Sequence, residues 1–351
     1  MDVPSPALPD PAFWSGRRVL VTGDTGFKGA WLSLWLTELG ATVVGFADGV
    51  PTDPSLYELA RVGDLVEHHD GDVRDAGRVA AVVASARPEV VFHLAAQPMV
   101  RRSYSDPAET YAVNVMGTVN VLDAIRRAPG DVQVAVVVTS DKCYENREWP
   151  WGYREDEAMG GHDPYSSSKG AAELVTAAYR SSFFSDDGSA AIASARAGNV
   201  IGGGDWGEDR LVPDIYRAVA AARPVRIRNP HAIRPWQHVL NPLSGYLRLA
   251  ERAWEDRTLA RGFNFGPADE DVRPVGWIVE RLAVHSEIDD GPHPHEAHWL
   301  KLDSSLARSA LGWRPAWDLT EGLRRTADWY RAHREGEDVL AETRAQLAAF
   351  G

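Results

Sequence analysis

Short apolar runs alternate with longer mixed segments over the first two-thirds of the chain. The runs are continuous, which is typical of strands buried on both faces of a parallel sheet. They predict strands at 19–22, 42–46, 90–94, 134–139 and 190–195. Apolar positions at helical spacing between them predict helices near 27–39, 107–127 and 164–182. This alternation indicates an α/β fold, a doubly wound parallel sheet of the Rossmann type, whose ligands bind at the carboxyl ends of the strands.

Composition narrows the class of protein. The chain has 351 residues, 44% apolar and 25% charged, as in an ordinary soluble globular protein, and its net charge is −13. An acidic surface repels nucleic acid and anionic membranes, so neither is an expected partner. No apolar run approaches the roughly 20 residues of a membrane helix, and the acidic, proline-rich N-terminus does not resemble a signal peptide. The single cysteine, Cys143, excludes an internal disulfide and favours the cytoplasm.

A glycine-rich turn follows the first predicted strand. The stretch VLVTGDTGFKGAWLSLW has Gly23, Gly26 and Gly29 between that strand and the first long helix. Glycines here permit a tight turn and a close approach of the backbone to a pyrophosphate, which the free amides of the helix N-terminus then bind. The turn could be purely structural, but its strand–turn–helix context favours a dinucleotide site.

The second strand bears on the choice of dinucleotide. It ends in Phe46, Ala47 and Asp48 with no arginine or lysine following, which favours NAD over NADP. Asp48 is therefore a candidate ribose ligand, although a plain turn residue would look the same. Asp72, in GDVRD after the third strand, is a candidate adenine contact or a surface turn residue.

The last third of the chain is interrupted more often by proline and glycine, and it predicts a smaller C-terminal α/β domain that binds substrate. We expect the dinucleotide-binding domain to span 13–197, with 238–265 returning to it. The substrate-binding domain is then expected to comprise 198–237 and 266–351.

Reactive side chains collect where the strand 134–139 ends. VVVTSDK has a hydroxyl, a carboxylate and an amine in a row at Ser140, Asp141 and Lys142. The next helix, in DPYSSSKGAAELV, carries Tyr165 and Lys169 four residues apart, and so on one helical face. A lysine cation beside a tyrosine lowers the pKa of the phenol and makes it a usable base. A solvated Asp-Lys pair is the alternative, but its coincidence with the Tyr-x-x-x-Lys helix favours a catalytic site.

These motifs together identify a family. TGDTGFKG, HLAAQ, YAVNVMGT, TSDKCY and YSSSK are similar to the extended short-chain dehydrogenases/reductases. Longer stretches, TSDKCYENREWPWGYRE, AGNVIGGGDWGEDRLVPD, RIRNPHAIRPWQHV and HPHEAHWLKLD, resemble the CDP-glucose 4,6-dehydratases within that group. The resemblance runs from about Phe13 to the Trp329 region, so it is more specific than a likeness of fold. It implies an NAD-dependent lyase that converts CDP-glucose to CDP-4-keto-6-deoxyglucose.

The resemblance implies a role for each reactive side chain. Tyr165 would take the proton of the sugar C4 hydroxyl, with Ser140 bonded to the same oxygen, as hydride leaves C4 for NAD. Asp141 would protonate the departing C6 hydroxyl, and Lys142 would remove the C5 proton before hydride returns to C6. A lysine base must be neutral when it acts. Burial favours the neutral amine and the adjacent carboxylate favours the ammonium ion, and the sequence leaves both open.

The resemblance also implies which residues bind the two ligands. NAD is expected to contact Gly23, Asp24, Thr25, Gly26, Phe27, Lys28, Gly29, Asp48, Asp72, Val73, Leu94, Ala95, Ala96, Tyr165 and Lys169. The nucleotide sugar is expected to contact Gln97, Asn199, Arg210, Arg228, Arg234 and His298, the arginines being suited to bidentate phosphate contacts. A metal site is an alternative interpretation of three histidines, His293, His295 and His298. Their loop context argues against it, so no metal is expected.

One residue departs from the family pattern. Asp24 lies inside the glycine-rich turn, where most relatives carry a neutral residue or histidine. Facing the pyrophosphate, its carboxylate would repel the cofactor or cap the helix amides that the phosphates need. Lys28, on the same turn, would offset part of the repulsion by pairing with Asp24. We therefore expect weak NAD binding, which Asp24→Gly would strengthen.

Several alternatives stay open. The substrate could be another nucleoside-diphosphate glucose of dTDP or GDP type, since nothing in these residues reads cytosine. An NAD-dependent nucleotide-sugar epimerase would share the turn and the Tyr-x-x-x-Lys pair, but usually has small neutral residues in place of Asp141 and Lys142. A non-catalytic dinucleotide sensor would tend to lose Tyr165 and Lys169. The family pairs through two long helices, here about 107–127 and 164–182, so a homodimer or homotetramer is expected.

Overall fold

A parallel sheet forms the centre of the molecule. The computed structural model describes residues 6–128, 130–282, 285–289, 291 and 299–351. Its strands are β1 (Arg18–Thr22), β2 (Thr42–Ala47), β3 (Glu67–Asp70), β4 (Val90–His93), β5 (Val134–Val138), β6 (Ala191–Ala197), β7 (Val200–Ile201), β8 (Val225–Ile227), β9 (Ile233–Pro235), β10 (Gln237–His238), β11 (Gly262–Phe265), β12 (Val272–Pro274) and β13 (Ser286–Ile288). Its helices are α1 (Pro11–Trp14), α2 (Phe27–Glu38), α3 (Leu56–Leu59), α4 (Ala76–Ala86), α5 (Val100–Ser105), α6 (Pro107–Tyr111), α7 (Gly117–Arg127), α8 (Pro164–Phe183), α9 (Leu211–Ala220), α10 (Leu240–Glu255), α11 (Val275–Arg281), α12 (Ser305–Leu311), α13 (Leu319–Glu335) and α14 (Val339–Phe350).

Seven strands pair in the order β11-β6-β5-β4-β1-β2-β3, and every pairing is parallel. Successive residues of β1 point to opposite faces of the sheet. Val19 and Val21 pack in one core with α2 and α10, and Leu20 packs in the other with α4 and α7. Helices therefore cover both faces, which explains why β4, β5 and β6 are buried throughout. The doubly wound fold predicted from the sequence is confirmed.

The helices beside the carboxyl ends of the strands begin as their sequences require. Asp106 accepts a hydrogen bond from a first-turn amide of α6, and Pro107 is the first helical residue. Asp163 caps α8 in the same way before Pro164. The aspartate side chain satisfies one free amide of the first helical turn, and proline, which has no N–H, leaves one amide fewer to satisfy. The local sequence therefore fixes where both helices begin.

The predicted helix 107–127 is divided into α6, a π-helical turn at Ala112–Met116, and α7. The π-helical turn buries Asn114, whose amide nitrogen donates to the Gln97 carbonyl oxygen at 3.1 Å and to the Ser168 hydroxyl at 2.8 Å. Asn114 Oδ1 in turn accepts from the Gln97 amide at 2.8 Å. This irregular turn thereby joins the loop after β4 to α8.

Outside the seven-stranded sheet, the described residues form three two-stranded sheets, β7/β10, β9/β12 and β8/β13. Helix α14, which is expected in the substrate-binding domain, packs on α2, which is expected in the dinucleotide-binding domain. The Phe350 ring meets the Trp35 ring edge-on at 5.5 Å between centroids, and Arg344 Nε lies 2.7 Å from Glu38 Oε1. The tryptophans of α2 need apolar cover, which explains why the chain returns to this helix at its end. Within the described ranges no helix is long and apolar enough to cross a membrane.

Candidate active site

A cleft of about 2070 Å³ opens at the carboxyl ends of β1, β4, β5 and β6. Of the predicted site residues, those that line it are Gly23, Thr25, Gly26, Phe27, Lys28, Gly29, Asp48, Asp72, Val73, Leu94, Ala95, Ala96, Gln97, Ser140, Asp141, Lys142, Tyr165, Lys169, Asn199, Arg210, Arg228 and Arg234. Asp24 does not line the cleft, and His298, with His293 and His295, lies outside the described residues. One cavity thus contains the residues predicted for both ligands.

The glycine-rich turn after β1 tolerates no larger side chain at its two outer glycines. Gly23 has φ +76°, and a Cβ there would lie 2.7 Å from the Ala95 amide nitrogen. A Cβ on Gly29 would lie 2.0 Å from the Gly23 carbonyl oxygen. Gly26 caps α2 without any side-chain hydrogen bond, so the first amides of the helix are available to a ligand. A close backbone and uncapped amides fit the pyrophosphate of a dinucleotide.

Asp24 corrects the expectation of a carboxylate facing the phosphates. Its side chain is fully buried, and Asp24 Oδ2 is hydrogen-bonded to His68 Nδ1 of β3 at 2.8 Å. The side chain runs over Gly45 of β2, where a Cβ would lie 2.0 Å from Asp24 Oδ2. The expected helix cap is also absent, because Gly26 is the N-cap. Burial raises the pKa of Asp24, with His68 opposing this effect.

Lys28 does not pair with Asp24 either. Its Nζ lies 3.4 Å from the hydroxyl of Tyr246 on α10, and it lines the cleft. Burial lowers the pKa of Lys28 to about 8, and the cations of Arg210 and Lys169 lower it further, while Asp141 and Asp205 act in the opposite direction. Lys28 therefore belongs to the catalytic end of the cleft as much as to the glycine-rich turn.

The predicted adenosine contacts lie at the ends of β2, β3 and β4. Asp48 follows β2 and is exposed, while Asp72 follows β3 and is bonded to the amide and guanidinium of Arg74. The hydrogen bond from Arg74 lowers the pKa of Asp72. Asp72 is therefore ionised and held in place, although a ligand must share it with Arg74.

The acid/base turn, residues 140–142, begins directly after β5. The Ser140 hydroxyl donates to Asp141 Oδ1 at 2.9 Å and accepts from the Lys142 amide at 3.3 Å. Asp141 is buried, and its Oδ2 has no hydrogen-bond partner among the described residues. Burial raises the pKa of Asp141, although Lys142 and the Ser140 bond oppose this. A buried carboxyl group with one oxygen unsatisfied is suited to exchange a proton with a bound hydroxyl group.

Tyr165 and Lys169 reach the same cleft from one face of α8. The expectation that Lys169 lowers the pKa of this phenol is not met: burial raises the pKa of Tyr165 to about 12, while a hydrogen bond with Ser140 opposes the rise. Burial likewise lowers the pKa of Lys169 to about 8. The phenol is thus within reach of Ser140 but depends on further positive charge to ionise.

Two of the three predicted substrate arginines, Arg210 and Arg228, are paired with carboxylates. Arg210 Nη1 lies 2.9 Å from Asp205 Oδ1, and Arg228 Nη1 lies 3.6 Å from Asp209 Oδ1. Arg234 is buried on β9 and lines the cleft. A substrate diphosphate must therefore exchange with these carboxylates or share the arginines with them.

Gln97 has a structural role that the sequence did not indicate. Its side-chain nitrogen donates to the Met99 carbonyl oxygen at 3.1 Å and to the Thr110 hydroxyl at 2.9 Å, and its oxygen accepts from the Met99 amide at 2.6 Å. Because both ends of the amide are engaged by Met99 and Thr110, a substrate hydrogen bond to Gln97 would have to break one of these bonds. Asn199, in contrast, is only half-buried at the cleft.

Sequence reasoning missed several residues at the cleft. Asp205 and Asp209 pair with the substrate arginines, and Arg101 lies 3.2 Å from Asp209. Asp205 and Asp209 stand in the quoted motif GGGDWGEDR, so a search for the counter-ions of the arginines would have found them. Arg101 stands in a run without a pattern, and nothing in the sequence singles it out.

Comparison with known proteins defines the class. The family model described as GDP-mannose 4,6 dehydratase matches residues 20–326, and the chain belongs to that family. Within the family the chain is a homologue of CDP-glucose 4,6-dehydratase, a hydro-lyase. It is 53% identical over 352 residues to the CDP-glucose 4,6-dehydratase of Salmonella typhimurium (strain LT2), an alignment that covers 97% of this chain and 98% of that protein. The predicted resemblance is confirmed.

Solved structures agree on the fold. UDP-glucose-4-epimerase from Stenotrophomonas maltophila, with bound NAD and formylated UDP-arabinopyranose, matches with a TM-score of 0.79 at 24% identity, over 91% of this chain and 99% of that one. DesIV, a dTDP-glucose 4,6-dehydratase from Streptomyces venezuelae with NAD and TYD bound, matches at 0.76 and 21% identity, over 92% and 99%. NAD is bound in both of these solved structures. An epimerase and a dehydratase match about equally, so the fold does not separate the two activities.

Proposed function

We propose that this protein is an NAD-dependent CDP-glucose 4,6-dehydratase, which converts CDP-glucose to CDP-4-keto-6-deoxyglucose. The observation that carries the proposal is the acid/base turn. Asp141 and Lys142 face the same cleft as Tyr165, so groups for an elimination lie beside groups for an oxidation. The 53% identity to CDP-glucose 4,6-dehydratase over nearly the whole chain supports both the reaction and the cytosine nucleotide.

The first step is oxidation at the sugar C4. Tyr165 takes the proton of the C4 hydroxyl, and the Ser140 hydroxyl, which is bonded to the phenol, stabilises the same oxygen. Because burial raises the pKa of Tyr165 to about 12, ionisation of the phenol needs cations nearby. Lys169 on the same helical face is one of them. The glycine-rich turn would hold the pyrophosphate of NAD, which when bound would accept the hydride from C4, return it to C6, and in its oxidised form add positive charge.

The second step is loss of water across C5 and C6. The C4 ketone acidifies the C5 proton, which the amine of Lys142 removes. Later, when hydride returns to C6, the Lys142 ammonium ion gives a proton to C5. Asp141 gives its proton to the C6 hydroxyl, which leaves as water. Burial of Asp141 favours the protonated acid that this step requires, and its unsatisfied Oδ2 is the oxygen available to the leaving hydroxyl. An epimerase has no use for this pair, so its presence favours dehydration over epimerisation.

Arginines meet the charge of the nucleotide diphosphate. Arg210, Arg228 and Arg234 converge on the cleft, and a planar guanidinium group suits bidentate phosphate contacts. The protein as a whole carries a net charge of −13, so the overall field does not attract an anionic substrate. These local cations are therefore expected to supply most of the affinity for the diphosphate.

The proposal is tested by incubating the protein and NAD with CDP-, dTDP-, UDP- and GDP-glucose separately. CDP-glucose is expected to give a product lighter by one water, with no net reduction of NAD, as read by mass spectrometry and absorbance. In heavy water the product is expected to carry deuterium at C5. A product of unchanged mass epimerised at C4 would contradict dehydration, and faster conversion of another nucleotide would contradict the choice of cytosine.

We infer that the enzyme is a homodimer. Tyr111, Met116, Leu174 and Phe183 lie on α6, the π-helical turn and α8, which are packed side by side, and each is between 37% and 62% exposed. Apolar side chains grouped in this way mark a protein interface. Leu174→Glu is expected to give a monomer in sedimentation, whereas the control Ile288→Glu, at an equally exposed apolar residue of β13, leaves the dimer intact.

We also propose the cytoplasm as the compartment of the enzyme. Cys143 is fully buried, and burial raises the pKa of its thiol well above the usual value, so it is an inert apolar side chain. A protein that relies on no disulfide suits a reducing compartment, where NAD and nucleotide sugars are also made. Activity that fractionates with the periplasm or medium would contradict this.

A further inference from the structure

Behind the acid/base turn lies a buried polar cluster that the reaction above does not use. The Glu173 cluster comprises Thr139, Tyr144, Glu173, Ser194, Arg196 and Asn264, all of them buried. They come from the end of β5, the segment after the acid/base turn, α8, β6 and β11. Buried polar groups on this scale cost free energy unless each is satisfied, so their arrangement calls for an explanation.

Glu173 is the centre of the cluster. Its Oε1 accepts from the Thr139 hydroxyl at 2.5 Å, and its Oε2 accepts from the Ser194 hydroxyl at 2.7 Å and from Arg196 Nη2 at 2.8 Å. Burial disfavours the ionised carboxylate, but Arg196 and the two hydroxyl groups outweigh it and lower the pKa of Glu173. Glu173 is therefore a permanent negative charge inside the protein.

The same cluster holds both ends of the acid/base turn. Thr139, bonded to Glu173, is the residue immediately before Ser140. On the other side, Arg196 Nη1 donates to the Tyr144 hydroxyl at 2.6 Å, which donates to Asn264 Oδ1 at 2.7 Å. Since Thr139 and Tyr144 flank residues 140–143, the cluster fixes the backbone on which the acid/base side chains stand.

Glu173 also lies one helical turn from Lys169, because the two are four residues apart on α8. Burial lowers the pKa of Lys169 to about 8, and Glu173 opposes this. Cys143 would add negative charge beside Lys169 only as a thiolate. Burial raises the pKa of its thiol, so it stays protonated and uncharged. The other groups facing Lys169 supply no negative charge: burial lowers the pKa of His93 to about 3, so it is neutral, and the amine of Lys28 is either neutral or positive. Glu173 is thus the anion that sustains the Lys169 ammonium ion.

The chain's use of lysine fits this interpretation. Of 37 basic residues four are lysines, Lys28, Lys142, Lys169 and Lys301, and the other 33 (37 − 4) are arginines. Three of the four lysines line the cleft. Arginine stays protonated at any pH of interest, whereas a buried amine changes its charge readily. Two of these cleft lysines, Lys28 and Lys169, have a pKa that burial lowers to about 8.

We propose that Glu173 is a positioning residue for the dehydration: its carboxylate supplies a buried negative charge to Lys169 and ties the acid/base turn to α8. The catalytic meaning of this inference rests on the proposed function. Its electrostatic part concerns only the side chains of this chain, so it can be tested without substrate.

The direct test is the titration of Lys169 by NMR. With four lysines, protein labelled with ¹³C at lysine Cε gives few signals, and that of Lys169 is assigned by its loss in Lys169→Arg. The wild-type midpoint is expected at about 8. Glu173→Gln removes the charge and is expected to lower the midpoint by about one unit, which at pH 8 reduces the protonated fraction from about a half to about a tenth. Glu173→Asp keeps the charge and is expected to stay within about 0.3 unit of wild type.

A matched control separates loss of this charge from loss of any buried carboxylate. Glu251 on α10 is equally buried and bonded to Trp14 Nε1 at 2.7 Å and to Arg248, but it has no lysine beside it. Glu251→Gln is expected to leave the Lys169 midpoint unchanged. If Glu173→Gln does not fold, Glu173→Gln/Arg196→Gln removes both charges, leaves no unpaired ion, and is expected to lower the midpoint in the same direction.

Activity supplies the second measurement. Because Lys169 acts as a cation, turnover is expected to fall as pH rises through its pKa, and this alkaline limb moves down by about one unit in Glu173→Gln but not in Glu251→Gln. An unchanged Lys169 midpoint in Glu173→Gln, or a Glu173→Asp variant that shifts as far as Glu173→Gln, would overturn the inference. If the midpoints move as expected but CDP-glucose is not dehydrated, the proposed function fails and the coupling of Glu173 to Lys169 stands.

Discussion

The turn after β1 and the turn after β5 start from similar parts. Each leaves a parallel strand at its carboxyl end, and each buries an aspartate, Asp24 in one and Asp141 in the other. In each aspartate one oxygen is bonded inside the protein, to His68 and to Ser140 respectively. The second oxygen has no partner in the part of the chain that the structure describes. Yet Asp141 lines the cleft and Asp24 does not.

The difference follows from which part of the chain meets the ligand. At the β1 turn the backbone is the binding surface, so glycines leave room for the ligand. The one acidic side chain, Asp24, runs over β2 in the space left by Gly45 and is bonded to His68 of β3. At the β5 turn the side chains are the reactive groups, so the backbone is held from behind by Thr139 and Tyr144 of the Glu173 cluster. A carboxylate at a strand end acquires its role from the groups around it.

The largest effect is expected at the β5 side of the comparison. Tyr165→Phe removes the base at C4 and little contact area, so turnover should fall by about 10²–10⁴ while substrate binding stays nearly unchanged. Steady-state kinetics with CDP-glucose, and calorimetry for binding, measure the two effects. Turnover within about threefold of wild type would show that Tyr165 is not the base.

The two aspartates give the sharpest contrast in side-chain function. Asp141→Asn keeps the shape of the acid but cannot give a proton, so turnover should fall by about 10²–10³. Oxidation at C4 should survive, since Tyr165 and Ser140 are intact. If Asp141→Asn dehydrates CDP-glucose at nearly the wild-type rate, the leaving hydroxyl takes its proton from another source.

In the β1 turn, a change that displaces the backbone is expected to weaken NAD binding. A methyl group at Gly29 would lie 2.0 Å from the Gly23 carbonyl oxygen, so Gly29→Ala must open the turn. Overpacking of this kind costs about 1–3 kcal/mol. We expect this cost to destabilise the NAD-bound form of the turn, which weakens NAD binding by roughly fivefold to a hundredfold. Calorimetric titration of NAD measures it, with Gly77→Ala on α4 as the control, since a Cβ there meets only Asp75 Oδ1 at 3.3 Å and Gly77 does not line the cleft. Equal NAD affinity for Gly29→Ala and wild type would contradict the backbone role.

The smallest effect is expected at Asp24. Asp24→Asn keeps the size and a hydrogen bond to His68, and its side chain does not face the phosphates, so NAD affinity should stay within about twofold of wild type. Stability should respond instead. The pKa of Asp24 is raised by folding, so its contribution is present at low pH and is lost as pH rises through the folded-state value. In Asp24→Asn the melting temperature should therefore lose the part of its pH dependence that lies between the ordinary carboxyl pKa of 3.8 and the raised folded-state value. A several-fold gain in NAD affinity would show instead that the carboxylate faces the phosphates.

The sequence was informative where a signal is local. Strand and helix periods, the glycine spacing and the five reactive side chains depend on neighbours a few residues away, and the structure brings those side chains to one cleft. The direction of Asp24 depends on Gly45 and His68, far along the chain, and could not be read from the turn. The pKa of Tyr165 is raised and not lowered as expected, because burial, which no local motif reports, outweighs the hydrogen bond and the cation that favour the phenolate.

The Glu173 cluster could be predicted from the sequence only in part. Its spacing, Tyr165-Lys169-Glu173 at intervals of four, was present in the motif and predicts one helical face. The partners that make Glu173 a satisfied anion, Ser194 and Arg196, come from a strand that follows α8, and only the folded sheet brings them to it. Similarly, the packing of α14 on α2 required knowledge of the tryptophan surface it covers.

The central claim is that the turn after β5 performs the elimination, and Lys142→Met tests it most directly. The variant is mixed with CDP-glucose and NAD in heavy water, and the absorbance of reduced nicotinamide is followed together with deuterium at the sugar C5. The account predicts that the C4 oxidation still occurs, that reduced nicotinamide accumulates on the enzyme, and that no deuterium enters C5 because the base is missing. Dehydration at the wild-type rate with deuterium at C5 would contradict it.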